Sequence, residues 1–115
     1  MSKLSNNQGR GYEYICLNTL YSEISKVRLA QIDKNSSYLA AQHAWDTLSI
    51  EEQQTYTTSA EAAVKSVFEL EPLMIERGED IVELYIQADS QGKLGDVRDI
   101  VVQRADISWE IGFSI

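Results

Sequence analysis

One cysteine, one histidine and one proline are all that this sequence holds of those three types, and each scarcity excludes something. Cys16 alone cannot close an internal disulfide, and with His43 as the single imidazole there is no Cys/His set for structural zinc. No apolar run approaches the roughly 20 residues of a membrane span, and the opening MSKLSNNQGRGY lacks the apolar stretch of a secretory leader. The expectations are a cytosolic protein with no membrane partner, stabilised by packing alone. At 115 residues and 43% hydrophobic, the chain has room for one core and no second domain. Basic residues are also few, 10 against 18 acidic, and the net charge of −8 argues against a nucleic-acid coat or a polybasic membrane binder. That balance leaves room for a local site, because divalent cations are held by carboxylates.

Glycine and proline are absent between Gly11 and Pro72, and this gap divides the chain. Residues 1–10 read as a flexible start, and helices are expected over 11–76. Tyr14, Leu17, Tyr21 and Ile24, joined by Leu20 and Val27, recur at helical spacing and leave Glu13, Glu23, Lys26 and Arg28 on wetter faces. The pattern predicts one helix from about Gly11 to Gln31. A polar break at Asp33 to Ser37 precedes a shorter helix carrying Tyr38, Leu39, Ala41, Ala44, Trp45 and Leu48. Ser49 with Glu52 three positions on forms a capping box, in which hydroxyl and carboxylate satisfy orphan N–H groups reciprocally. The helix it starts runs through Ala60, Ala63, Val64, Val67 and Phe68 toward Glu71, where Pro72 disfavours helical geometry.

Beyond Gly78, isoleucine and valine fill 10 of the last 35 positions against 7 of the 60 from Tyr12 to Glu71, so strands are expected over 80–115. Three follow: Asp80 to Ala88, Asp96 to Gln103 and Ile107 to Ile115, with Ser90 to Gly95 and Arg104 to Asp106 as turns. The class is α+β, with N-terminal helices followed by a three-stranded, mainly antiparallel sheet.

If Gln103 pairs with Ile107, alternation puts Asp96, Arg98, Glu110, Gly112 and Ser114 on one face of the last hairpin. Val97, Val101, Trp109, Ile111, Phe113 and Ile115 share the other face. A one-residue shift in the turn brings Asp99 beside Glu110 in place of Asp96, and both registers stay open. An antiparallel sheet commonly has one wet face on which Asp, Glu and Arg are ordinary. The glycine turn SQGKLGD, however, delivers an acid straight onto a buried strand. Paired carboxylates on adjacent strands are what Mg²⁺-assisted phosphodiester hydrolysis requires.

The segment QADSQGKLGDVRDIVV followed by WEIGFSI resembles the catalytic region of the HaeIII-type restriction endonucleases, and FELEPLMIE and GRGYEYICL resemble the same enzymes. The similarity covers nearly the whole chain. It implies a type II enzyme of the PD-(D/E)xK nuclease superfamily that cuts double-stranded DNA at GGCC with Mg²⁺ as part of a restriction–modification system. The implied core runs αβββαβ, and its first four elements match the order of helices and strands read above. Carried over by residue, Asp96 is the acid after the glycine turn, with Asp99 the other candidate, and Glu110 is the carboxylate of the last strand. Asp96 and Glu110 are the implied Mg²⁺ ligands. Glu13 is a supporting acid on the first helix, and Arg98 and Ser114 are supporting groups.

Relatives continue WEIGxSI with a lysine on the Glu110 and Ser114 face, whereas this sequence ends at Ile115. The expectation is a partial domain over 11–115, a truncated αβββαβ core that does not cleave by itself. A palindromic target would favour a homodimer of the intact enzyme. The rival classes are a non-catalytic remnant that binds a protein or a metal, and a DNA mimic, against which the interspersed apolar face argues.

The remaining residues read as structural. His43 has no metal-ligand partner at helical spacing, Cys16 sits in an apolar helix face, and Gly92 and Gly95 lack any phosphate-loop pattern. Tyr12, Tyr14 and Tyr21 read as core or subunit contact. Lys26, Arg28 and Lys34 read as a solvated face rather than phosphate contacts.

Overall fold

The protein was described from a computed structural model, which covers residues 6–76, 78–87, 99–107 and 109–113. Three helices, α1 (Asn6–Ser25), α2 (Ser36–Asp46) and α3 (Ile50–Leu70), pack on one face of a four-stranded sheet. The strands are β1 (Ala30–Ile32), β2 (Val82–Ile86), β3 (Ile100–Arg104) and β4 (Trp109–Phe113), in the spatial order β1-β2-β3-β4. The α+β class holds, with one strand more than the sequence pattern predicts and with a mixed sheet.

The additional strand lies where the first helix was expected to continue. Instead of running to Gln31, α1 stops at Ser25, and Val27 and Arg28 close its end by bonding back to the Ile24 carbonyl, each at 3.0 Å. Ala30, Gln31 and Ile32 then pair in parallel with Val82, Glu83 and Leu84. Three residues are too few to display period-2 alternation, and their partner lies about 50 positions away, so nothing local announces a strand.

α1 also begins at Asn6, five residues before the expected Gly11, whereas the ends of α2 and α3 follow the sequence closely. Asn35 caps α2, its side chain accepting the Tyr38 N–H at 2.8 Å while its amide donates to the Ile86 carbonyl at 3.0 Å. One side chain thus starts a helix and ties it to the end of β2. The capping box at Ser49 is complete: its hydroxyl accepts the Glu52 N–H, and the Glu52 carboxylate accepts the Ser49 N–H, both at 3.1 Å. α3 stops at Leu70, two residues before Pro72, which opens a single 3₁₀ turn, Pro72–Met74. That turn drops Met74 fully into the core.

The core is formed by Leu17, Leu20 and Ile24 of α1, Tyr38 and Ala41 of α2, and Ala60 and Val64 of α3. They meet Val82, Leu84, Ile86, Ile100 and Val102 of the sheet, with Ile111 and Phe113 packed alongside. Fully burying each large aliphatic side chain contributes about 1.5–3 kcal/mol. Because the helices cover only this face, the alternate residues of every strand form a second face: Gln31, Glu83, Tyr85, Val101, Gln103, Glu110 and Gly112.

The register of the last hairpin differs from the expected one. Gln103 pairs with Glu110 and Arg104 with Trp109, so β3 extends through Arg104 and the turn begins at Ala105. Relative to the expected pairing with Ile107, the strands are offset by three residues. An odd offset exchanges faces: Ile100, Val102 and Arg104 join Trp109, Ile111 and Phe113, while Val101 lies with Glu110 and Gly112. The offset has an electrostatic cause. Arg104 is only 1% exposed and is drawn inside by Asp80, whose carboxylate it meets at 3.0 Å.

Candidate functional site

The second sheet face carries the carboxylates, and the strand register sorts them. A straight row of side chains crosses the four strands, Gln31 beside Glu83, Glu83 beside Gln103 and Gln103 beside Glu110. Within it Gln31 donates to Glu83 at 2.7 Å and Gln103 to Glu110 at 2.6 Å. Each amide neutralises no charge but occupies a carboxylate lone pair, so Glu110 is held in a cross-strand pair on an exposed surface.

Asp99 lies at the other end of the same face. Asp99 lies four positions before Gln103, the partner of Glu110, which at about 3.3 Å per residue is about 13 Å along the strand. Asp99 and Glu110 therefore share a face without converging. Its backbone is bonded on both sides: Asp99 N–H donates to the Phe113 carbonyl, and its carbonyl accepts the Gln87 N–H, both at 2.8 Å. The half-buried Asp99 is thus fixed where the ends of β2, β3 and β4 meet.

Glu13 belongs to the same end of the molecule. Its neighbours on α1, Tyr12 and Cys16, line a cavity of about 170 Å³ with Ile100 of β3 and Phe113 of β4. Ile100 is the residue after Asp99. Glu13 itself is half-buried, and its charge helps raise the Cys16 thiol, which burial pushes up to about 11 against a lowering hydrogen bond with Tyr12. Asp96, Arg98 and Ser114 lie outside the described residues, as do Gly92 and Gly95.

The opposite end of the sheet holds a charge cluster that residue patterns alone did not reveal. The Asp80 side chain is 4% exposed and binds two guanidinium groups, those of Arg28 and Arg104. Arg104 also donates to the Leu73 carbonyl at 2.8 Å, and Arg28 to the carbonyls of Glu76 and Asp80. Asp106 completes the cluster by accepting the N–H groups of Glu79 at 2.9 Å and Asp80 at 3.0 Å. A Cβ on Gly78 would collide with Arg104 and Asp80, which is why a residue without a side chain passes there. Hydrogen bonding from Arg104 holds the Asp80 carboxyl at about 2 against the opposing effect of burial, with further help from the Asp106 N–H and the charges of Arg104 and Arg28. Both carboxylate oxygens of Asp80 are bonded to the protein's own donors. The cluster therefore staples β2, the β3–β4 turn and the end of α1 rather than opening toward a ligand. Arg28, expected on a solvated face, is instead inside this cluster with its side chain 4% exposed.

His43 is exposed on α2, Tyr14 packs its ring against Tyr38 at 5.5 Å and Trp45 at 5.9 Å, and Tyr12 meets Tyr56 at 5.6 Å. None of the described helices is long and apolar enough to cross a membrane. Among the described residues no three Asp, Glu, His or Cys side chains come together as a metal site.

Known proteins share this sequence pattern. Residues 9–115 match the family model of the HaeIII restriction endonuclease. The chain is 45% identical over all 115 of its residues to the type II restriction enzyme HaeIII of Haemophilus aegyptius, of which it spans 36%. No solved structure matches.

Proposed function

Because the chain belongs to the HaeIII restriction endonuclease family, we propose that it supplies the Asp99 end of a type II site-specific endonuclease hydrolysing double-stranded DNA. The finer reading is cleavage at GGCC in the cytosol, as part of a restriction–modification system, with two subunits related by the two-fold symmetry of a palindromic target. The observation that carries the site assignment is the position of Asp99, an acidic residue whose main chain is bonded to both neighbouring strands. We infer that Asp99, with Asp96 the other candidate, is the leading acid of a PD-(D/E)xK arrangement, and that Glu110 serves the amide–carboxylate row instead of the reacting phosphate.

The implied cofactor is Mg²⁺, and Asp99 is the hard oxygen donor that such an ion takes. The described residues do not complete a shell for it: ligands lie at about 2.0–2.1 Å from Mg²⁺, and Glu110 stands about 13 Å along the strand from Asp99. What the chain's own groups contribute is positioning. Hydrolysis adds water across a P–O bond, and the attacking water must be aligned with the leaving oxygen. A carboxylate carried on a backbone that a sheet ladder holds in place accepts a hydrogen bond from that water and orients it. Neither Gln103 nor Glu110 lies within reach of the same water.

The test is digestion of a plasmid of known sequence by the protein expressed from its whole open reading frame, with Mg²⁺ and with chelator. The expected result is Mg²⁺-dependent fragments whose ends all map within GGCC. Ends scattered outside GGCC would remove the specificity, and intact plasmid would remove the nuclease reading.

A further inference from the structure

Gln87 is the residue after β2, and sheet alternation puts its side chain on the second face with Glu83 and Tyr85. Extending the β2–β3 register by one step sets it opposite Asp99, and the 2.8 Å bond from Gln87 N–H to the Asp99 carbonyl confirms that step. Directly opposed residues of this kind have Cβ atoms about 4.5–5.5 Å apart. Among the described residues the buried carboxamide nitrogen of Gln87 has no bonding partner, the neighbouring carboxylate of Asp99 included. Among the described residues the only other such atom is Nε of Arg28, whose guanidinium is otherwise bonded to Asp80 and Glu76.

A buried donor left without an acceptor costs about 1–3 kcal/mol, a cost that an ordered water or a bound oxygen acceptor would remove. Either acceptor is an oxygen beside Asp99. A neutral amide there offers two N–H donors without cancelling the carboxylate's charge. We propose that Gln87 is a DNA-backbone contact, its carboxamide donating to a non-bridging phosphate oxygen next to the bond that Asp99 serves. The proposal rests on the nuclease reading and deepens it by assigning a phosphate-holding group to the same site.

The experiment uses this chain, labelled with ¹⁵N in glutamine side chains, titrated with a 12-base-pair duplex containing GGCC in the absence of divalent metal. The Gln87 NH₂ pair is expected to shift and saturate. Gln87→Met keeps the volume and removes the donor; it is expected to weaken duplex binding about tenfold while leaving the melting temperature unchanged or higher. A merely structural amide would lower that temperature on substitution. Shifts at other amides with Gln87 unmoved, or a Gln87→Met protein that binds the duplex as tightly as the parent, overturn the proposal and leave the nuclease reading standing. A duplex that moves no amide overturns DNA binding by this chain and the proposal with it.

Discussion

Asp80 shows how one carboxylate sets the shape of the hairpin that carries the candidate site. Its two guanidinium partners are themselves buried, so removing the charge leaves both without a counter-ion. Asp80→Asn is therefore expected to cost about 3–5 kcal/mol, read as a shift in the urea midpoint. The same bond gives a pH dependence whose sign is fixed. The folded-state carboxyl is depressed to about 2 from the ordinary 3.8, so its contribution is present above about 4 and is lost as pH falls toward 2. Urea midpoints between pH 5 and pH 2 measure that loss, and the Asp80→Asn protein is expected to show a shallower decline. At Cys16 the expectation is inertness: a buried thiol raised to about 11 is not alkylated by iodoacetamide at pH 8 until the protein unfolds.

Among the elements, those with local signals were legible in the sequence and those with distant partners were not. The capping box at Ser49 is a four-residue pattern, and it forms as read; Ser49→Ala is expected to cost about 1 kcal/mol by thermal or urea unfolding. Pro72 ends α3 for an equally local reason. β1 was hidden because Ala30–Ile32 becomes a strand only through β2, and Val27 and Leu29, which read as helix, stand largely exposed in the connection. Arg104 was misread for the complementary reason. A charged residue between apolar runs has the composition of a turn, and only Asp80, 24 positions earlier, makes it a buried strand residue. That single misplacement carried the register with it, and the register decides which acid shares a face with Glu110. Asp99 was visible as a candidate, but its separation from Glu110 follows from the pairing of β3 with β4 and from nothing in the sequence between them.

For the whole molecule, the family match and the sheet geometry bear on different questions. The family match covers residues 9–115, while the chain spans 36% of the Haemophilus aegyptius relative, so similarity supplies the activity only as a proposal. The proposed discrimination between acids rests on geometry. The second sheet face has Glu83 and Glu110 tied to glutamines toward one end and Asp99 at the other, where the buried Gln87 donor has no partner among the described residues. A net charge of −8 is compatible with this division, because Asp80 is neutralised by buried arginines and the carboxylates of the row are exposed and hydrogen-bonded to amides. The most direct measurement compares Asp99→Ala with Glu110→Ala in single-turnover DNA cleavage with Mg²⁺, using the protein from its whole open reading frame. The account predicts that Asp99→Ala slows cleavage about a hundredfold or more while Glu110→Ala stays within about threefold of the parent. Parental cleavage by Asp99→Ala, or an equal collapse in Glu110→Ala, would contradict it.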